Sequence, residues 1–128
     1  MELQKHSLLY VDDEKVNLEL FFLSFRRDFE IYLANSAKEG LIFLEKNKVD
    51  VIITDQKMPE MTGVEFLCEI NRRFPDIPPC RLMISGYTRN EDIESAFNNY
   101  KLFEFISKPW NAIQLKKTIL TAIEKCHG

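Results

Sequence analysis

The chain is poor in cysteine and has too few histidines to build a zinc site. Its three cysteines, Cys68, Cys80 and Cys126, are odd in number, far apart in sequence and outside any C-x-x-C or metal-ligand spacing, so reduced thiols are expected. The two histidines, His6 and His127, stand near opposite ends. No apolar run approaches the roughly 18 residues of a membrane span, and the charged opening "MELQKH" lacks a signal core. Positive charge is not in excess either. The 17 Lys and Arg stand against 20 Asp and Glu, a net charge of −3, with no basic patch for nucleic acid and no polybasic anchor for a lipid surface. Repeats, linkers and low-complexity tracts are absent. What remains is a single cytoplasmic domain, because 128 residues fall in the range of about 100–150 that one unaided core supports.

The apolar residues alternate between two periods along the chain. Short runs at Leu8-Leu9-Tyr10-Val11, Ile31-Tyr32-Leu33-Ala34, Val51-Ile52-Ile53, Leu82-Met83-Ile84 and Phe103 to Ile106 are too short for helices and read as strands. Helical spacing fills the gaps: Leu18, Phe21, Phe22, Phe25; Ala37, Leu41, Leu44; Val64, Leu67, Ile70, Phe74; Ile93, Ala96, Phe97, Tyr100; and Ala112, Leu115, Ile119, Ala122 before Cys126. A hydroxyl followed three residues later by a carboxylate predicts a capping box at three helix starts: Ser36 with Glu39, Thr62 with Glu65, Thr88 with Glu91. Asn111 is placed to cap the last helix. Five alternating units with near-continuous apolar strands predict an α/β domain, a doubly wound five-stranded parallel sheet with helices on both faces.

That architecture says where chemistry belongs, since ligands of an open parallel sheet sit beyond the carboxyl ends of the strands. Those ends carry Asp12-Asp13, Asp55, Ser85-Gly86 and Ser107-Lys108-Pro109. Each has an ordinary explanation on its own: helix capping for Asp12-Asp13, a solvated charge for Lys108, a turn for Ser85-Gly86, gap-filling for Met58 and Met61. Unrelated causes do not explain why they gather at the ends of separate strands. Clustered carboxylates need a cation, and an all-oxygen set suits Mg²⁺, with Asp12 and Asp13 as holders. Asp55 beside the metal is then a competent nucleophile toward phosphorus, giving an aspartyl phosphate. Lys108 and the Ser85 hydroxyl are suited to pair with phosphoryl oxygens.

The set Asp12-Asp13, then "DQKMPEMTG" with Asp55, Met58-Pro59 and Gly63, then "ISGY", then "KPW", resembles the receiver domain of bacterial two-component response regulators over nearly the whole of residues 1–128. The resemblance implies a flavodoxin-like (βα)5 fold with strand order 2-1-3-4-5. It implies that Asp55 takes a phosphoryl group from a phosphohistidine of a sensor histidine kinase or phosphotransfer protein. It also implies direct Mg²⁺ ligation by Asp13, Asp55 and the Lys57 carbonyl, with Asp12 acting mostly through water. Ser85 and Phe105 fall at the switch positions, Phe105 standing where many members carry tyrosine. Gly86 leaves the site open, Lys57 and Tyr87 flank it and tune the phosphate lifetime, and the Lys108–Pro109 bond is cis. Output runs through the face of the fourth helix, fifth strand and fifth helix, where Arg89, Glu94, Asn98, Lys101 and Lys117 are expected to be exposed, toward an effector domain or a second copy.

The same resemblance implies a signalling domain that catalyses only its own phosphorylation and dephosphorylation, without direct contact with nucleic acid or membrane. Because "EKCHG" follows the fifth helical segment directly, no room for an output domain is expected within this sequence. Two other classes fit less well. A flavodoxin-like nucleotide binder needs a Ser/Thr/Gly-rich loop after the first strand, where "VDDEKVN" offers two anions. A haloacid-dehalogenase-like phosphatase needs a second aspartate two places after Asp55, where Lys57 stands.

Overall fold

The most continuously apolar runs become the middle of a sheet in the computed structural model, which describes residues 5–78, 80–86 and 88–127. Strands β1 (Ser7–Val11), β3 (Val51–Thr54) and β4 (Arg81–Ser85) are buried almost throughout, whereas β2 (Glu30–Ala34) and β5 (Leu102–Ser107) take the half-exposed edges. All pairings are parallel and the order is β2-β1-β3-β4-β5. Between them run α1 (Lys15–Phe25), α2 (Ala37–Lys46), α3 (Gly63–Arg73), α4 (Asn90–Asn99) and α5 (Ala112–His127).

Because strand side chains alternate between faces, the sheet divides the apolar residues into two cores. Leu8, Tyr10, Val51, Ile53, Leu82 and Ile84 meet Phe21, Phe25, Leu115 and Ile119 under α1 and α5. Leu9, Val11, Ile52 and Met83 meet Leu41, Phe66, Leu67, Ile70 and Ala96 under α2, α3 and α4. This is the doubly wound arrangement expected from the sequence.

Local details depart from expectation in instructive ways. The Thr62–Glu65 capping box forms in full. At α2 only half does: Ser36 accepts from Glu39 N, while the Glu39 carboxylate reaches back to Asn35 N instead of Ser36 N. The Thr88–Glu91 box does not form, because the chain enters α4 with Arg89 as N-cap and leaves the Thr88 hydroxyl buried without a hydrogen-bond partner. Asn111 does cap α5, its Oδ1 accepting from Gln114 N at 3.1 Å. Phe22, Phe97 and Ala112, read as core, are exposed. Phe66, one step off the assumed stripe of α3, is fully buried. In β5 the register slips between the pairs Arg81↔Leu102 and Leu82↔Glu104, so Phe103 is an extra residue, a bulge. The slip turns Phe103 toward the α1/α5 core and returns Phe105 to the α2/α3/α4 side.

Candidate phosphoacceptor site

Parallel strands deliver their carboxyl ends to one edge, and register decides which residues meet there. Val11 pairs with Thr54, so Asp12 and Asp55 emerge side by side from β1 and β3. Backbone bonds hold both, Asp12 N to Ala34 O at 3.2 Å and Asp55 N to Val11 O at 2.9 Å. Ser85 pairs with Ser107, and Lys108 N donates to Ser85 O at 2.9 Å, bringing the lysine over the rim. The Lys108–Pro109 bond is cis, as expected.

One carboxylate oxygen from each of Asp12, Asp13 and Asp55 lies within 4.8 Å of the other two. Asp12 is fully buried and Asp55 is 6% exposed, while Asp13 faces solvent. Three acidic groups this close repel one another, and Lys108 offsets part of that charge. Its Nζ donates to Asp55 Oδ2 at 2.9 Å and to Asp12 Oδ2 at 3.4 Å. Burial alone would push the Lys108 ammonium down, but the Asp55 hydrogen bond and the charges of Asp12 and Asp55 outweigh it, and its pKa is raised.

The two aspartates are not equivalent. Asp12 spends its oxygens on the protein: Oδ2 also accepts from Tyr10 OH at 2.7 Å, and Oδ1 accepts from Glu14 N at 3.0 Å. It does not serve as the helix cap, since α1 begins after Glu14. Asp55 Oδ1 accepts from Gln56 N, leaving Oδ2 with the lysine at the open rim. Burial, followed by the bond to Asp12, raises the pKa of the Tyr10 phenol, so Tyr10 stays a neutral donor.

The turn after β3 is braced against α3. Gly63 N donates to Gln56 O at 3.0 Å and Val64 N to Gln56 Oε1 at 2.8 Å. Gly63 is required by close approach, since a Cβ there would sit 2.3 Å from the Asp55 carbonyl oxygen. Met58 is buried under α2 and α3 as a gap-filler, and Met61 packs beside it half-buried. Lys57 is exposed on the same turn.

Ser85 ends β4 and is 1% exposed. Phe105 is half-buried against the core beneath α4. Gly86 is exposed, and a Cβ on it would meet nothing within 4 Å. Tyr87 lies outside the described residues. Sequence reasoning missed Tyr10 and Gln56. For Tyr10 a signal existed, because residues two apart on a strand share a face and Tyr10 precedes Asp12 by two. Gln56 carries no such signal, since its role comes from backbone geometry in the turn.

Comparison with known proteins points the same way. The sequence profile described as response regulator receiver domain matches residues 8–120. The hydrogenase transcriptional regulatory protein HoxA of Cupriavidus necator is 38% identical over 92% of this chain, which corresponds to 24% of that protein. The transcriptional regulatory protein GlrR of Escherichia coli K12 is 31% identical over 92% of the chain and 26% of its own length. The chain thus spans about a quarter of the length of these curated relatives. Among solved structures, a response regulator receiver domain protein from Clostridium thermocellum is 32% identical with a TM-score of 0.82, covering 94% of this chain and 95% of that one. A CheY-like receiver domain protein from Methanospirillum hungatei is 25% identical with a TM-score of 0.88, covering 97% and 98%.

Proposed function

The chain belongs to the response regulator receiver family of two-component signalling, and from that premise we propose that residues 1–128 act as one phosphoacceptor switch with Asp55 as the acceptor. The observation that carries this reading is the placement of Lys108 Nζ, 2.9 Å from Asp55 Oδ2 and 3.4 Å from Asp12 Oδ2, inside a cluster of three carboxylates at the open edge of the sheet. An Asp55 oxygen attacks the phosphorus of a phosphohistidine. The P–N bond breaks, its electron pair stays on the imidazole nitrogen, and a P–O bond forms on Asp55. Water later reverses the state, releasing inorganic phosphate and the free carboxylate.

The donor set fits Mg²⁺, because every candidate ligand is a hard oxygen and two of the three carboxylates are reachable from solvent or the rim. Asp13, Asp55 and the Lys57 carbonyl would hold the ion directly, with Asp12 acting mostly through water, in keeping with how fully Asp12 is already engaged by Tyr10, Glu14 and Lys108. When bound, Mg²⁺ supplies positive charge that shields phosphoryl oxygens from the carboxylates. Lys108 exchanges its contact with Asp55 for a phosphoryl oxygen, and the Ser85 hydroxyl donates to another. A phosphoryl group brings about −1.5 to −2 charges at neutral pH, enough to draw both side chains inward.

Movement of Ser85 opens volume under α4, and Phe105 turns in to fill it by packing alone, having no hydroxyl to anchor. The surface altered is α4, β5 and α5. Arg89, Glu94, Asn98, Lys101 and Lys117 are exposed there and mix both signs, which suits a reversible contact. A groove of about 350 Å³ between β5 and α5, lined in part by Glu104, Phe105, Trp110 and Gln114, gives a partner something to enter. On this reading the donor is a sensor histidine kinase or phosphotransfer protein and the recipient is an effector domain or a second copy. The relatives named as transcriptional regulators, and one named sensor kinase CckA of Brucella abortus, suggest that such partners can be attached or separate. The setting is cytoplasmic, without direct contact with nucleic acid or membrane; none of the described helices is long and apolar enough to cross one. The domain turns over no external substrate. Amide NMR with and without beryllium fluoride and Mg²⁺ tests the switch: shifts are expected from the Asp55 turn through residues 88 to 106. Changes confined to the loops around Asp55 would contradict it.

A further inference from the structure

At the edge of the sheet opposite Asp55, two cysteines that the sequence keeps apart are brought into contact. Cys80 directly precedes β4 and is buried in the core covered by α1 and α5. Cys126, in the last turn of α5, is partly exposed and packs against the same core, its thiol in hydrogen-bond contact with that of Cys80. Both positions are fixed. Cys80 N donates to Pro78 O at 2.8 Å and Ile52 N donates to Cys80 O at 3.0 Å, while the neighbour of Cys126, His127, sets its Nε2 2.6 Å from Asp50 O. The third cysteine, Cys68, lies on α3 and touches Tyr100, whose ring packs on the other core.

We propose that Cys80 and Cys126 form a modification site at which a low-molecular-weight disulfide, such as oxidised glutathione, generates an intramolecular disulfide tying the end of α5 to the base of β4. Cys126 reacts first, because it is the member solvent can reach. Its thiolate attacks one sulfur of the oxidant, the S–S bond breaks, and one small thiolate leaves. Cys80 then loses its proton and attacks the Cys126 sulfur, expelling the second small thiolate. Two protein thiols are oxidised by two electrons, one external disulfide is reduced to two thiols, and every sulfur is accounted for.

The surroundings favour this order. Burial, with the Cys126 contact second, pushes the Cys80 thiol up, so it is inert toward solution reagents and reacts only with a sulfur already beside it. A cleft of about 600 Å³ nearby is lined by Asp50, by Pro78 two residues before Cys80 and by His127 next to Cys126. A reducing compartment leaves the pair as thiols, and oxidising conditions close it. The site stands apart from the Asp55 chemistry, since β4 separates its two ends by roughly 3.3 Å per residue. It does act on α5, whose last turn gains a covalent tether.

The test uses the full chain, incubated natively with excess oxidised glutathione at mildly alkaline pH, quenched with acid, weighed intact and digested without reductant. Loss of two hydrogens, about 2 Da, with one peptide pair joining Cys80 to Cys126, is the expected result in both wild type and Cys68→Ser. Cys126→Ser should show no such loss. Stable glutathione on Cys126 with Cys80 still free, a linkage through Cys68, or an unchanged mass would each overturn the proposal.

Discussion

Replacing Gly63 by alanine adds one methyl where no room exists. The new Cβ would fall 2.3 Å from the Asp55 carbonyl oxygen, 3.0 Å from Gln56 Cα and 3.1 Å from the Asp55 carbonyl carbon. All three are backbone atoms, so no side chain can swing aside. A carbon–oxygen contact relaxes near about 3.3 Å, so the β3 turn and the start of α3 must separate by about 1 Å. That movement stretches two bonds, Gly63 N to Gln56 O and Val64 N to Gln56 Oε1. Overpacking costs about 1–3 kcal/mol and each weakened hydrogen bond about 0.5–1.5 kcal/mol, while alanine returns about 0.5–1 kcal/mol in a helix. The balance is a loss of about 3 kcal/mol, and with m of about 1–3 kcal/mol/M the urea midpoint should fall by roughly 1–3 M. Since Asp55 is what moves, phosphorylation should slow as well, by up to about 100-fold for a displacement of this size. Gly86→Ala is the control, because its Cβ meets nothing within 4 Å and should change stability by no more than about 0.5 kcal/mol. Urea unfolding of Gly63→Ala that matched Gly86→Ala would refute the reasoning.

Two further expectations concern stability. The phenol of Tyr10 has its pKa raised above the ordinary 10.0, by burial first and the bond to Asp12 second. Its linked stability is therefore complete below pH 10 and is lost as pH rises beyond it, where only the unfolded chain ionises. Urea unfolding from about pH 9 to pH 11 should show this decline, and Tyr10→Phe should flatten part of it; an unchanged slope would contradict the buried donor. Thr62→Ala should cost about 1 kcal/mol by opening the α3 capping box, whereas Thr88→Ala, whose hydroxyl has no hydrogen-bond partner, should cost little. Equal losses in thermal or urea unfolding would show that the two hydroxyls had been assigned wrongly.

The parts of the fold that were legible in the sequence are those written in a repeating period. Runs such as Val51-Ile52-Ile53 give way to polar residues at the carboxyl end of the sheet, and those strand ends mark Asp12, Asp55, Ser85 and Lys108 as neighbours at one edge. What escaped depends on single irregularities. The bulge at Phe103 breaks the alternation that would otherwise send Leu102 and Phe105 to opposite faces, and no local signal marks it. Thr88 and Glu91 have the spacing of a capping box, but α4 starts later, and spacing alone does not specify backbone direction. Phe22 and Phe97 match the helical period yet stand at the flank of their stripes, where a neighbouring helix fails to cover them. The Cys80–Cys126 contact is purely tertiary: α5 returns across the sheet to reach the base of β4, and sequence distance carries no trace of it.

The assignment of Asp55 as phosphoacceptor is tested most directly by intact mass after incubation with a small acyl phosphate and Mg²⁺. A gain of one phosphoryl group is expected, dependent on the ion, absent from Asp55→Asn, and mapped to the peptide that contains Asp55. The same gain in Asp55→Asn would place the nucleophile elsewhere and contradict the central claim.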